Sequence, residues 1–366
     1  AFWVTTILGA IIAMFLYSGS YEIYHWLGLD DDMVTLGVPL LRMRAVSIFL
    51  MFVYFALVGF LRGIKKVRQA MYTFAVGVCV FVVFDYLLIF GNYGFPRMEL
   101  LGSAMASVIQ YAVMLVMVAG FVFFDPDNKK YAINLFGGPY SWQEIQRLLW
   151  LTWPIAIDKA SIAMAYVWLC KMIALIGKTT PNQACIISSM AAIKDMERFA
   201  LVPGVAFGQV LTFLVSNDWG RNAWADIKSN IKKIILLSLI MVGIIVLIFC
   251  FWSRAIIDLF DQKQEFSAFA APAFCWLSVL VLFDLVQLLL SAALRGTGNV
   301  RIVMFVRLAV VLGFFVPLSW LIAHTPFENK FLQFVLVYGV FYFGNACMSI
   351  AYVYRLRGEK WKKALR

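Results

Sequence analysis

Residues 284–301, DLVQLLLSAALRGTGNVR, close an apolar run with a basic loop, and that loop has a copy 233 positions upstream. Leu61-Arg62-Gly63 and Val67-Arg68 match Leu294-Arg295-Gly296 and Val300-Arg301 without a gap. At the same offset Ser20 pairs with Ser253, Pro39 with Pro272 and Met71 with Met304. A duplication this long in a hydrophobic chain calls for two copies of one helical unit. That is the plan of membrane transporters that place cargo and coupling ion between their halves.

The runs around the repeat set the fold class. Ten reach bilayer length: 1–17, 33–60, 70–90, 99–124, 150–176, 183–215, 231–252, 266–294, 302–323 and 331–354. Hydrophobic residues make up 63% of the chain and charged residues 14%, more apolar surface than a soluble domain can bury. The expectation is an all-α polytopic membrane protein. It divides into an N-terminal lobe (1–124), a cytoplasmic linker with a surface helix (125–149), a six-helix lobe (150–354) and a basic cytoplasmic tail (355–366). Subtracting the repeat offset from the start of the second lobe, near residues 142–150, places the matching start about 80 to 90 residues before Ala1. Two further helices are therefore expected upstream, making ten of twelve present here.

The net charge of +11 serves topology rather than nucleic acid. Alternate loops collect Arg62, Lys65, Lys66, Arg68, Lys129, Lys130, Arg147, Arg221, Lys228, Lys232, Lys233, Arg295, Arg301 and the six basic residues of the tail. The opposite loops hold only Arg97, Lys178, Arg254, Lys263 and Lys330, beside Glu22 and Asp30–Asp32. By the positive-inside rule the basic loops and the C-terminus face the cytoplasm of a cell membrane. Ser141-Trp-Gln-Glu144 reads as a capping box. The helix after it would lie at the membrane surface or simply extend the next span. The six cysteines and two histidines have no metal-ligand spacing, so neither a structural metal nor paired catalytic residues are expected, and an enzyme is excluded.

Ionisable groups inside spans are costly, about 2.5–3.5 kcal/mol each, and are candidates for function. Asp284 is the cleanest, with no charged neighbour within ten positions and Gln287 one turn on. Its carboxylate can bind a proton or a hard cation, or serve as a structural group bonded to a neighbouring helix. Its repeat mate is Met51. Lys194, Asp195, Glu197 and Arg198 form a cluster that either neutralises itself or takes part in ion and substrate binding, ahead of Pro203 in mid-span. Asp158 follows Pro154 and is a third cation candidate, or a partner for Lys159 or Lys194. Pro154 and Pro203 are expected to kink their helices. Asp85 is read as structural, and Arg42, Arg44, Lys171 and Arg307 as counter-ions or anchors.

Taken together, GFLRGIKKVRQAMY (59–72), DYLLIFGNYGFP with LGSAMAS (85–107), ERFALVPGVAFGQV (197–210) and FDLVQLLLSAALRGTGNVR (283–301) resemble the multidrug and toxic compound extrusion transporters. The likeness is to NorM-type members, within a wider superfamily of lipid and polysaccharide flippases. It implies a two-lobed antiporter that expels amphipathic, often cationic compounds against Na⁺ or H⁺, with no other cofactor. The bilayer and a small amphipathic substrate would be its partners, and a monomer its state. By the same resemblance Asp284 matches a carboxylate of the cation site, and Glu197 the acidic residue before the mid-helix proline. Ile162 stands where the family carries an acid, one turn after Asp158. A flippase of the same superfamily and a non-transporting membrane subunit remain the alternatives.

Overall fold

A computed structural model describes residues 2–26, 31–64, 66–125, 142–178, 183–261, 266–358 and 361. Lys65, most of the linker with Lys129, Lys130 and Ser141, Asp30, Lys263 and most of the basic tail lie outside the described residues. The described chain is helical: α1 Phe2–Ser18, α2 Ser20–Trp26, α3 Asp31–Gly63, α4 Val67–Phe90, α5 Leu100–Phe124, α6 Trp142–Lys178, α7 Gln183–Gly220, α8 Trp224–Phe251, α9 Ser253–Asp258, α10 Ser267–Gly296, α11 Val300–Val310, α12 Val316–His324 and α13 Lys330–Arg357. A single π turn, Val311–Phe315, joins α11 to α12. Among the described residues nine helical spans are long and apolar enough to cross a bilayer, and α1 is a shorter apolar helix. Helices satisfy their own backbone groups, which is what a hydrocarbon surround demands.

The repeat is visible in where helices start and stop. α3 ends at Gly63 and α10 at Gly296; α4 begins at Val67 and α11 at Val300; α2 begins at Ser20 and α9 at Ser253; α1 ends at Ser18 and α8 at Phe251; α5 ends at Phe124 and α13 at Arg357. Every pair is 233 residues apart. The Arg-Gly elements expected as loops are largely helix ends: Arg62, Gly63, Arg295 and Gly296 close helices, and Arg68 and Arg301 lie in first turns. Only residues 64–66 and 297–299 connect.

Several boundaries differ from expectation. α6 runs unbroken from Trp142, so of the two readings of that segment the structure has the extension of the span. α7 continues through residues 216–220 because Asp218 in its last turn accepts hydrogen bonds from Arg221 and Asn230, both at 2.7 Å. Pro154 and Pro203 sit inside continuous helices and end neither. Within the basic tail, Trp361 is buried against Trp224, and its carbonyl accepts from Asn299 Nδ2 at 2.9 Å.

The chain forms two compact units, residues 1–148 and 149–366. In the first, α3 packs on α1 and α5 and α4 on α5, around Tyr54, Leu57, Leu61, Met114, Val118 and Val122. Polar groups there are paired across helices, as Tyr54 with Thr73 at 3.2 Å and Arg44 with Ser107 at 2.8 Å.

In the second unit α10 is the central helix, packed on α7, α8 and α13. Its seam with α7 is built from small residues one turn apart. A Cβ on Gly208 would meet Leu288 at 2.9 Å, and Gly204 lies against Leu285. Thr212 donates to the Ala292 carbonyl at 3.1 Å. Small residues every fourth position bring two helix backbones into van der Waals range, the chief source of helix association inside lipid. At the end of the seam a Cβ on Gly296 would lie 2.8 Å from the Thr212 carbonyl, an atom that cannot step aside. Its repeat mate Gly63 meets nothing within 4 Å among the described residues. Gly296→Ala should therefore cost about 1–3 kcal/mol by overpacking, and Gly63→Ala should be neutral or gain about 0.4–1 kcal/mol. Unfolding midpoints in detergent would check this; a matched response at both positions would refute the seam's role.

Candidate functional site

The second unit encloses a cavity of about 170 Å³. α6 contributes Lys159, Ile162 and Tyr166; α10 contributes Asp284, Gln287, Ser291 and Arg295; α11 contributes Arg307. Val311 and Phe315 of the π turn and Phe341, Asn345 and Met348 of α13 complete the wall. Helical spacing explains the set: Asp284, Gln287, Ser291 and Arg295 recur at three or four residues and so share one stripe of α10.

Within it Asp284 is held lightly. Its Oδ1 accepts one hydrogen bond, from Asn345 Nδ2 at 3.1 Å. Gln287 is buried, and its Nε2 has no partner among the described residues. Lys159 lines the same space and makes no ion pair among the described residues.

Asp158 corrects the sequence reading. It is 1% exposed, and both its oxygens are taken: Arg307 Nε donates to Oδ1 and Arg295 Nη2 to Oδ2. A carboxylate already holding two guanidinium groups has no free oxygen for a cation, so Asp158 is a three-helix staple joining α6, α10 and α11. Neither Lys159 nor Lys194 is its partner. Arg295, expected as a cytoplasmic loop residue, reaches back into the unit to make this pair, while Arg307 is the counter-ion its intramembrane position suggested. Arg301, the other repeat-loop arginine of this unit, stacks on Trp150 at 3.3 Å.

The cluster on α7 is divided by its helix. Glu197 is buried and accepts from Tyr338 Oη at 2.8 Å, with the Tyr342 ring stacked beside Tyr338. Lys194 lies 4.4 Å over the Tyr166 ring, behind the cavity wall. Asp195 and Arg198 point outward from this unit and pair with each other at 3.5 Å, so neither lines the cavity. Asp85, read as bonded to a helix end, keeps a buried Oδ1 with no partner among the described residues. Asn345, Tyr338 and Tyr342 were not anticipated; the available signal was an asparagine and tyrosines recurring at helical spacing in an apolar span. No group of three or more His, Cys, Asp or Glu suited to a metal occurs among the described residues.

A bundle of membrane-length helices, built from a repeat and carrying a charged cavity in one unit, is the plan of a multi-pass membrane transporter. The MatE family model matches residues 1–87 and 159–321, and the chain belongs to that family. It is similar to the "Probable multidrug resistance protein YoeA" of Bacillus subtilis, 23% identical over 98% of this chain and 75% of that one. It is also similar to the "Probable multidrug resistance protein NorM" of Bacillus cereus, 21% identical over 93% of this chain and 73% of that one. Among solved structures, the outward-facing conformation of a multidrug resistance MATE family transporter matches with a TM-score of 0.84. That match has 16% identity and covers 98% of this chain and 76% of the other. The likeness shows the MATE fold.

Proposed function

We propose that the protein exports amphipathic cations by alternating access, in exchange for protons that bind at Asp284 and Glu197. The single observation that carries this reading is the composition of the cavity. Its volume of about 170 Å³ is close to an engineered cavity of about 150 Å³ that holds benzene. Small-molecule sites run to about 300–1,000 Å³, so the cavity suits a coupling ion and not a drug-sized body. Asp284 shares it with Lys159, Arg295 and Arg307. Even with Asp158 offsetting one of them, the three cationic side chains outweigh Asp284 and disfavour Na⁺, which also needs several oxygen ligands, whereas a proton needs one carboxylate. This supports H⁺ as the coupling ion.

The relatives' names support drugs as cargo. A flippase would need free guanidinium groups to take a pyrophosphate; Arg295 and Arg307 are already bound to Asp158, which favours drug export. The orientation has the basic repeat connections on the cytoplasmic side, and the working unit is a monomer in the cell membrane. Proteoliposomes loaded with ethidium, a fluorescent cation, test the coupling. A pH gradient should drive the dye to the acid side, and a Na⁺ gradient at equal pH should leave it unmoved. Accumulation driven by Na⁺ alone would overturn the proton reading.

A further inference from the structure

The charges around the cavity are shared unevenly. Asp158 holds two arginines, while Asp284, a second carboxylate on the same cavity, receives only a neutral amide. Arg307 belongs to both surroundings: its Nε is on Asp158, and with Lys159 it supplies the positive charge acting on Asp284. The helix that carries it also departs from α geometry four residues later, in the π turn Val311–Phe315. That turn is the one place where α11 can shift against α12 without breaking a regular ladder. Single π turns mark functional sites in many helices. Here Val311 and Phe315 form part of the cavity wall.

We propose that Arg307 is a positioning residue that moves between the two carboxylates, with the π turn as its hinge. This rests on the proton reading above. With a proton on Asp284 that group is neutral, and Arg307 stays with Arg295 on Asp158, the arrangement described here. When Asp284 releases its proton to water it gains a negative charge. Arg307 then crosses to Asp284, and Asp158 keeps Arg295. Each carboxylate ends with one guanidinium, so no buried charge is left unpaired. The movement draws α11 toward α10 and turns loss of a proton into displacement of a helix, which is the step a coupled transporter needs.

The other groups that bear on the exchange are few. Lys159 and Tyr166 face the cavity from α6, Arg295 from α10, and Glu197 of α7 stands behind it with Tyr338 and Tyr342 of α13. Tyr352, also from α13, is bonded to the Val303 carbonyl of α11. Lys159 competes for Asp284, but its ammonium is a point charge on α6 and cannot move α11.

The test is amide hydrogen exchange of the full chain in lipid nanodiscs, followed at residues 308–318 and corrected for the intrinsic effect of pH. Wild-type exchange in the π turn should change by at least about threefold between about pH 5 and about pH 8.5. Asp284→Asn and Arg307→Gln should abolish the change, and Arg307→Lys should restore part of it. Asp284→Asn leaves the Asp158 pair intact, so it decides the matter even where Arg307→Gln fails to fold. A π turn indifferent to pH, or a response that survives Asp284→Asn, overturns the exchange. Dye transport measured alongside separates the two ideas. Transport that follows the proton gradient with an unresponsive π turn counts against the arginine exchange alone. A responsive π turn with transport that ignores the gradient supports the exchange and counts against coupling.

Discussion

Asp284→Asn is expected to cut proton-driven dye efflux by at least about tenfold while leaving the protein folded. The amide has the carboxylate's shape, and its oxygen can still accept from Asn345 Nδ2. What it loses is the ability to take up and release a proton. Fold and coupling therefore separate in this variant. Efflux in proteoliposomes should fall, the residual rate should keep only the pH dependence that Glu197 carries, and the unfolding midpoint in detergent should stay near that of the wild type. Normal efflux from Asp284→Asn would remove the residue from the mechanism.

Asp158→Ala should have the opposite signature, a stability loss of about 3–5 kcal/mol. Removing the staple strands Arg307, which is 5% exposed, together with the half-buried Arg295. Two guanidinium groups then repel each other in a poorly solvating surround, with Asp284 the one carboxylate left on their cavity. Because Arg295 keeps some exposure, the lower half of that range is the expected result. The double variant Asp158→Ala with Arg307→Met should recover part of the loss, since an apolar replacement removes the stranded charge. Denaturant unfolding in micelles measures both. A loss below about 1 kcal/mol for Asp158→Ala would mean that the pair holds nothing together.

Much of the fold was legible because lipid leaves so few options. An apolar run of bilayer length has to be a helix, and the gapless repeat of Leu-Arg-Gly marked matching connections in the two units, although the helices run on through it to Gly63 and Gly296. The site was legible only in part. A lone carboxylate in an apolar run is costly wherever it points, which is why Asp284 stood out. Its neighbours could not be read the same way. Asp158 and Arg295 are 137 positions apart, and local spacing says nothing about which distant cation a buried acid will meet. The α7 cluster stayed open between self-neutralisation and binding for a related reason. Successive residues of a helix face different directions, so Glu197 turns inward while Asp195 and Arg198 turn out, although all four charges are sequence neighbours.

The occupancy of Asp158 also bounds the energetics of a transport cycle. With that carboxylate tied to two arginines, the proton carriers of the proposed cycle are the half-buried Asp284 and the buried Glu197. Exchanging one proton for a monovalent cargo moves no net charge, so the membrane voltage would do no work and the acidity difference alone would set the gradient of drug. Exchanging two would make the same protein a current source, harnessing voltage as well. If protons are the coupling ion, the staple that holds three helices together would also limit how many charges the machine can count.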